Sequence, residues 1–421
     1  MVTVSTLGAI AALAIAIGLI LKKVAPAYGM IAGALLGGLI GGVALPETVT
    51  LMMDGAKNII PAVMRIIAAG VLAGVLIESG AAARIADTIV KKIGEVRALL
   101  ALALATLLLT SVGVFIDVAV ITVAPIALLI AERANLSRFA VLLAMIGGGK
   151  AGNVMSPNPN TIAASDAFHQ PLTSVMMAGI VPGLFGLLVA YLLARRITHV
   201  GSTVTSAELH DRHHDETLPS FGASIAAPVV AIGLLALRPI AGIVVDPLIA
   251  LPVGGLAGLV TMNKFRYATQ YSAAGLARMM PVAVMLLGTG TLAGIIANSE
   301  LKTLLIHVIG GLGLPAYVLA PVAGILMSMA TASTTAGTAV ASQVFAATLA
   351  GLGVAPLGSA AMIHSGATVL DSLPHGSFFH ATAGAVNMEM KERLKLIPYE
   401  AVVGLSITVV ATLIYGVMQL A

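Results

Sequence analysis

The sequence predicts an all-α membrane protein made of two inverted repeats of five spans each, every repeat holding one re-entrant hairpin and one interrupted helix. Three observations carry this. The chain is 59% hydrophobic and 10% charged, whereas soluble domains have roughly 45–50% apolar and about 25% charged residues. Its apolar residues fall in runs of about 15 to 23, the length that crosses a ~30 Å hydrocarbon core. The chain also repeats itself: an offset of 220 lays Gly55, Pro61, Gly70, Leu72, Ala73, Gly74 and Ser79 on identical residues from Gly275 to Ser299. An offset of 221 matches Pro26, Gly33, Leu35 and Gly37 to Pro247, Gly254, Leu256 and Gly258, and one of 215 matches Pro159 to Pro374.

The first repeat is expected over 1–197 and the second over 221–421, with 198–220 as a cytoplasmic linker. The first run, 4–21, reads as an uncleaved span, because no basic residue precedes it and Lys22 and Lys23 follow it. Spans are expected at 27–44 and 61–80, an interrupted one at 139–169, and another at 172–194. Between the third and fourth lie two apolar arms, 98–110 and 118–131. Each gives roughly 20 Å of helix, too short to cross, and so predicts a hairpin. The second repeat follows the same plan with spans at 221–237, 247–262, 279–298 and 398–419, an interrupted span at 356–386 and a hairpin at 314–350.

Five spans per repeat is an odd number, so the two halves must be inverted, and the basic residues agree. Lys22, Lys23, Arg84, Lys91, Lys92, Arg138, Lys391 and Arg393 fall on one side with most of the others, whereas Lys57, Arg238 and Lys302 fall opposite. The positive-inside rule makes the first side cytoplasmic and both termini external. The net charge of +4 is therefore a topology signal with no nucleic acid implied. Zero cysteines excludes disulfides, thiolate metal sites and cysteine nucleophiles. The linker carries His210, His213, His214 and Asp215, but no apolar residues that would hold them as metal ligands, and it reads as solvated. No metal or other cofactor is expected.

Irregular backbone in a bilayer is tolerated where protein buries it or water reaches it, so breaks in apolar segments mark the transport path. Four stand out: Ser111 to Asp117, Gly147 to Thr161, Thr331 to Thr338, and His364 to Ser377. The helix ends they create favour an anion by roughly 0.3–1 kcal/mol each, up to ~2 when partly buried. Asn153, Ser156, Asn158, Asn160, Thr161, Ser333, Thr334, Thr335, Ser372 and Gly376 are the candidate substrate contacts. A hydroxyl taken alone bonds its own helix more readily, and it is the clustering at breaks that points to a site. Ionisable residues at membrane depth default to function. Asp117, Asp371, His375 and His364 are the proton-coupling candidates and Lys150 their charge partner, with a structural ion pair from Lys150 to Asp117 or Asp371 as the alternative.

The stretches FIDVAVITVAPIAL, SPNPNTIAASDAF and LDSLPHGSFF, with the helices between them, resemble the gluconate permease (gluconate:proton symporter) family of the ion transporter superfamily over nearly the whole chain. LDSLPH is the most specific of them. The resemblance implies a homodimer with a scaffold region and a moving region that holds both hairpins and both interrupted helices, working by an elevator-like motion. It also implies proton symport of sugar acids, small hydroxy acids or D-serine. The first break reads Pro157, Asn158, Pro159, Asn160, where the sugar-acid members typically have a histidine between prolines and a glycine after them. Asp117 stands where relatives often have glutamate.

The expected function is proton-coupled symport of a small organic monocarboxylate across a bacterial inner membrane. Sodium coupling is the alternative, because Asn, Ser and Thr at helix breaks also ligate sodium. Inverted repeats and paired hairpins argue against an intramembrane enzyme built on His364, Asp371 and His375. A passive channel is the remaining reading.

Overall fold

The computed structural model describes residues 3–94, 97–204, 218–301, 303–304 and 313–420. His210, His213, His214, Asp215 and Lys302 lie outside the described residues. Within them every named element is a helix, and strand pairing is limited to the isolated bridges Val4–Ser299 and Ser137–Thr203. Five helices are long and apolar enough to cross a membrane: Ile60–Glu78, Leu172–Arg196, Phe221–Ala241, Phe265–Ala297 and Met390–Val417.

Proline and short polar caps begin these helices. Proline stands in the first turn of Pro26–Ile40, Leu45–Asn58, Ile60–Glu78, Pro159–Ala167, Pro247–Thr261 and Pro356–Gly366. There its missing N–H removes a donor that would have no partner. Ser5, Ser137, Ser220 and Ser333 cap others through their side chains, and Asn158 and Asp246 cap two of the proline-opened helices as well.

Two helices were not expected. Leu45–Asn58 and Ala81–Ile93 lie where the sequence shows charged connectors. Their charges sit on an outward face and pair along it, Lys57 with Asp54 and Lys91 with Asp87, while the opposite face packs inward. The second arm of the first hairpin is also longer than its apolar run suggests, covering Ile116–Arg133 with Pro125 inside it.

The helices pack in two groups. In one, Thr6–Leu21 lies on Pro26–Ile40, and Phe221–Ala241 on Pro247–Thr261. The 30-residue helix Ala268–Ala297 runs against Pro26–Ile40, Leu45–Asn58 and Ile60–Glu78. In the other, Arg138–Asn153 packs on the hairpin arm Ala98–Ser111 and on Ile180–Arg196, which continues to Met390–Thr412, Pro356–Gly366 and the arm Leu319–Thr331. The groups meet where Ala268–Ala297 touches the arm Thr334–Gly351 and Ile60–Glu78 touches Pro159–Ala167.

Lipid supplies no hydrophobic force between membrane helices, so close packing of small residues must hold them. The repeated glycines do this, and do it reciprocally. Gly33 and Gly37 press on Ala12 and Ala16, and their counterparts Gly254 and Gly258 press on Ala227 and Ala231 in the same way. Gly55 meets Gly290 and Gly294, while Gly275 meets Gly70 and Gly74. Applying the offset of 220 to the first set of contacts reproduces the second with the halves exchanged, which is the pattern of a two-fold axis.

Any Cβ at Gly74 overlaps the Tyr271 carbonyl oxygen, whereas one at Gly18 meets open space. Gly74→Ala is therefore expected to destabilise the protein by at least ~1–3 kcal/mol, and Gly18→Ala to leave stability unchanged or raise it. Thermal unfolding of the two purified variants in detergent checks the contrast.

Candidate functional site

Each hairpin turns through a left-handed residue, Gly113 (φ 101°) in the first and Ala332 (φ 47°) in the second. The broken spans then cross over. The second half-helix of the first, Pro159–Ala167, packs on the second hairpin's arm Thr334–Gly351. The second half-helix of the other, Ser377–Ala385, packs on the first hairpin's arm Ile116–Arg133. All four breaks are thereby drawn into one body.

At its centre is a buried ion pair. Lys150, fully buried near the end of Arg138–Asn153, places Nζ 2.6 Å from Asp371 Oδ1 and donates to the Thr368 carbonyl at 2.6 Å. The Glu400 carbonyl lies 3.5 Å away. Asp371 also accepts from Ser372 Oγ at 2.9 Å and, through Oδ2, from Thr334 Oγ1 at 2.6 Å. One cluster thus joins the first break, the second break and the tip of the second hairpin.

A second buried pair lies on the neighbouring helix. Arg393 and Glu400 are both fully inside, with Nη1–Oε1 at 2.6 Å and Nη2 donating to Oε2 at 3.2 Å. The guanidinium lies 4.8 Å from the centre of the Phe379 ring. Arg393 reads in the sequence as a cytoplasmic charge, and Arg138 likewise. The structure instead buries both, with Arg138 donating to the Asn387 and Thr203 carbonyls. The signal for the pair was Glu400 seven residues after Arg393 in an apolar run, two helical turns away on the same face.

The candidate contacts of the first break mostly bond one another. Asn158 accepts from the backbone N–H of Asn160 and Thr161 and from Thr161 Oγ1, and it donates to the Asn153 carbonyl and side chain. Ser156 donates to the Asn153 carbonyl. Asn158 is thus a helix cap and a brace for the broken chain. Asn160 differs, since its Oδ1 is buried without a partner. Two residues that sequence reasoning passed over share that state, Thr338 and Ser342, one turn apart on the arm Thr334–Gly351 that packs against Asn160's helix. They continue the line that Thr334 begins at Asp371, and the signal was their i, i+4, i+8 spacing.

Among the other candidates, Ser333 caps its helix by accepting from the Ala336 N–H, and Thr335 is half-buried beside it. Gly376 is a packing position where a Cβ would lie 2.5 Å from the Ala332 carbonyl oxygen. His364 is buried with Nε2 unpartnered. His375, a proton-coupling candidate with Asp371, stands at the chain surface with Nε2 3.3 Å from the Ala330 carbonyl. The 371–376 segment is not a helical turn, so a spacing of four does not align the two side chains. Asp117 is half-buried and accepts from the Val118 N–H. Among the described residues no cluster of three or more His, Asp or Glu could hold a metal ion.

A third charged cluster ties the two helix groups together. Arg65 on Ile60–Glu78 donates to Asp166 on the first broken span and to both oxygens of Asp246, at 3.1 Å from Nε and 2.7 Å from Nη2. The Arg65 hydrogen bond holds the Asp246 carboxyl below the usual carboxylate range. Beside it opens a cavity of about 90 Å3 lined by Arg65, Ser165, Gln170, Thr173 and Arg238 among others. That cavity lies at the clamp and does not reach the Lys150–Asp371 pair.

The family model for GntP family permeases matches residues 2–420. A protein of Haemophilus influenzae described as an uncharacterised transporter is 65% identical over 419 residues, the full length of both chains. The gluconate permease of Pseudomonas aeruginosa is 25% identical over 293 residues, 64% of this chain and 65% of its own. A high-affinity gluconate transporter of Escherichia coli is 25% identical over 212 residues, 49% of this chain and 47% of its own. Among solved structures, the YdaH transporter of Alcanivorax borkumensis, described as having an unusual topology, superposes with a TM-score of 0.67 at 18% identity, covering 89% of each chain.

Removing one partner of a buried ion pair strands the other. Arg393→Met is expected to cost ~3–5 kcal/mol, and Arg393→Met with Glu400→Leu to recover most of it. Melting temperatures of the single and double variants measure the difference.

Proposed function

The chain belongs to the GntP permease family, and from that premise we propose a secondary active transporter that carries a small organic monocarboxylate by proton symport across the bacterial inner membrane. The observation that carries the reading is charge balance. Lys150 is matched by Asp371 and Arg393 by Glu400, so neither of these two fully buried cations is spare for an anion. An isolated buried charge is strongly unfavourable. An anionic substrate must therefore arrive with a cation, which is the requirement for symport. One carboxylate with one proton keeps the body neutral, and a dicarboxylate does not.

Hydroxyls on the substrate find partners in Asn160 Oδ1, Thr338 Oγ1 and Ser342 Oγ, all buried and unpaired. Relatives described as gluconate permeases and transporters support a hydroxylated acid. The two helix groups fit the division into scaffold and moving body, the moving body holding both hairpins and both broken spans. The reciprocal glycine contacts support two repeats, 1–197 and 221–421; the odd number of spans per repeat and the one-sided basic residues support inverted topology with external termini, and the family reading extends to a homodimer. One observation favours sodium instead of the proton: Asn160 Oδ1 is a buried acceptor of the kind sodium takes.

Uptake into proteoliposomes is expected to be driven by an inward proton gradient and abolished by a protonophore, while dependence on external sodium would establish the other coupling. Asn160→Ala and Thr338→Ala are each expected to weaken substrate binding by roughly 5- to 150-fold, the ~1–3 kcal/mol of a lost buried hydrogen bond. Calorimetry decides the class, since tight succinate or citrate binding with no response to gluconate, hydroxybutyrate, lactate or serine contradicts it. Topology is tested on the cysteine-free chain, where an impermeant thiol reagent should label Lys57→Cys in intact cells and spare Lys92→Cys and Lys391→Cys.

A further inference from the structure

We propose that Lys150 Nζ is the anchor for the substrate carboxylate, and that protonation of Asp371 is what hands it over. This rests on the proton-symport reading and gives it a mechanism at one pair of atoms. An ammonium has three protons to donate. Those of Lys150 are directed to Asp371 Oδ1, the Thr368 carbonyl and, at 3.5 Å, the Glu400 carbonyl. While Asp371 is ionised, no strong donor remains for a second anion.

Asp371 is placed to take a proton without orphaning its neighbours. Its partners besides Lys150 are the hydroxyls of Thr334 and Ser372. A hydroxyl donates to a carboxylate and, after rotating, accepts from a carboxylic acid. Both protonation states are therefore hydrogen-bonded. Protonation removes the counter-charge from Lys150, and a substrate carboxylate restores it. The balance is Asp371–COO⁻ with Lys150–NH3⁺ before, and Asp371–COOH with Lys150–NH3⁺ on the substrate's COO⁻ after, one proton entering with one carboxylate and the sum of charges staying zero. Neither partner enters readily alone, which makes the binding of proton and substrate mutually dependent.

Among the described residues, Asp371 is the one carboxylate that bonds Lys150 and two hydroxyls at once. Glu400 and Arg393 on Met390–Thr412 are closed on each other. Tyr399 on that helix stacks edge-on against Phe139. The hairpin arms Leu319–Thr331 and Thr334–Gly351 contain no titratable residue. On the remaining neighbours, His364 lies on Pro356–Gly366, and His375 and His380 bond the Ala330 and Pro374 carbonyls. Asp166 of Pro159–Ala167 is held by Arg65, and Asp117, in the first turn of Ile116–Arg133, accepts from the Val118 N–H.

The test is calorimetry of gluconate and lactate binding to the purified full-length protein, at several pH values and in buffers of different ionisation enthalpy. Wild type should take up close to one proton per ligand, with affinity falling by up to about tenfold per unit rise in pH. Asp371→Asn should bind with no proton uptake and no pH dependence. Lys150→Gln should lose at least about 30-fold in affinity. Because that variant leaves Asp371 unpaired, Lys150→Gln with Asp371→Asn serves as a neutral pair expected to melt near wild type and still not bind. Wild-type proton uptake persisting in Asp371→Asn, or normal binding by the neutral pair, overturns the handover and leaves symport standing. A wild type that binds either acid with no proton uptake overturns proton symport as well.

Discussion

A charge inside hydrocarbon must bring its own counter-charge, and the buried body of this protein is organised by that requirement. Lys150 answers Asp371 and Arg393 answers Glu400. The positions of these four residues dictate which helices meet. Lys150 comes from one broken span and Asp371 from the other, so the two breaks cannot drift apart without separating opposite charges at low dielectric. Thr334 adds the second hairpin to the same carboxylate. The ion pair is therefore a structural strut, and its carboxylate is carried on the non-helical stretch 371–373 of the second break.

Around this body the chain relies on closeness. Glycine and alanine let backbones approach where lipid gives no hydrophobic drive. The same contacts occur twice, Gly33 and Gly37 on Ala12 and Ala16, then Gly254 and Gly258 on Ala227 and Ala231. The group that contains the hairpins and breaks is sewn in the same way, Gly148 against Ala103 and Gly366 against Pro321, so both groups are close-packed and the buried ion pairs are confined to the second.

Much of this was legible in the sequence because it rests on local signals. Matched glycines and prolines revealed the internal repeat, and short apolar arms and polar residues interrupting apolar runs located both hairpins and both breaks. Lys150 and Asp371 stood out because ions at membrane depth are rare, and their pairing was one of the two roles the sequence left open. What the sequence hid depends on orientation. Asn158 looks like a ligand and is a cap, because its neighbours' N–H groups claim it first. His375 is four residues from Asp371, but the segment between them is not a helix. Arg393 passes for a flanking charge until Glu400 is seen beside it. Thr338 and Ser342 differ from Thr334 on the same arm, whose hydroxyl bonds Asp371, in being buried with no hydrogen-bond partner. Leu45–Asn58 and Ala81–Ile93 were missed because paired charges on one face mask an inward face.

The Arg65 clamp has no twin. By the same offsets that align the glycines, Arg65 corresponds to Met285, Asp246 to Ala25 and Asp166 to Ala381. An exchange of the two halves would thus replace three charged side chains by a methionine and two alanines. A nearly symmetric frame of glycine contacts therefore carries an asymmetric set of charges, with an ionic clamp between the helix groups at one place and only small or apolar side chains at its counterpart.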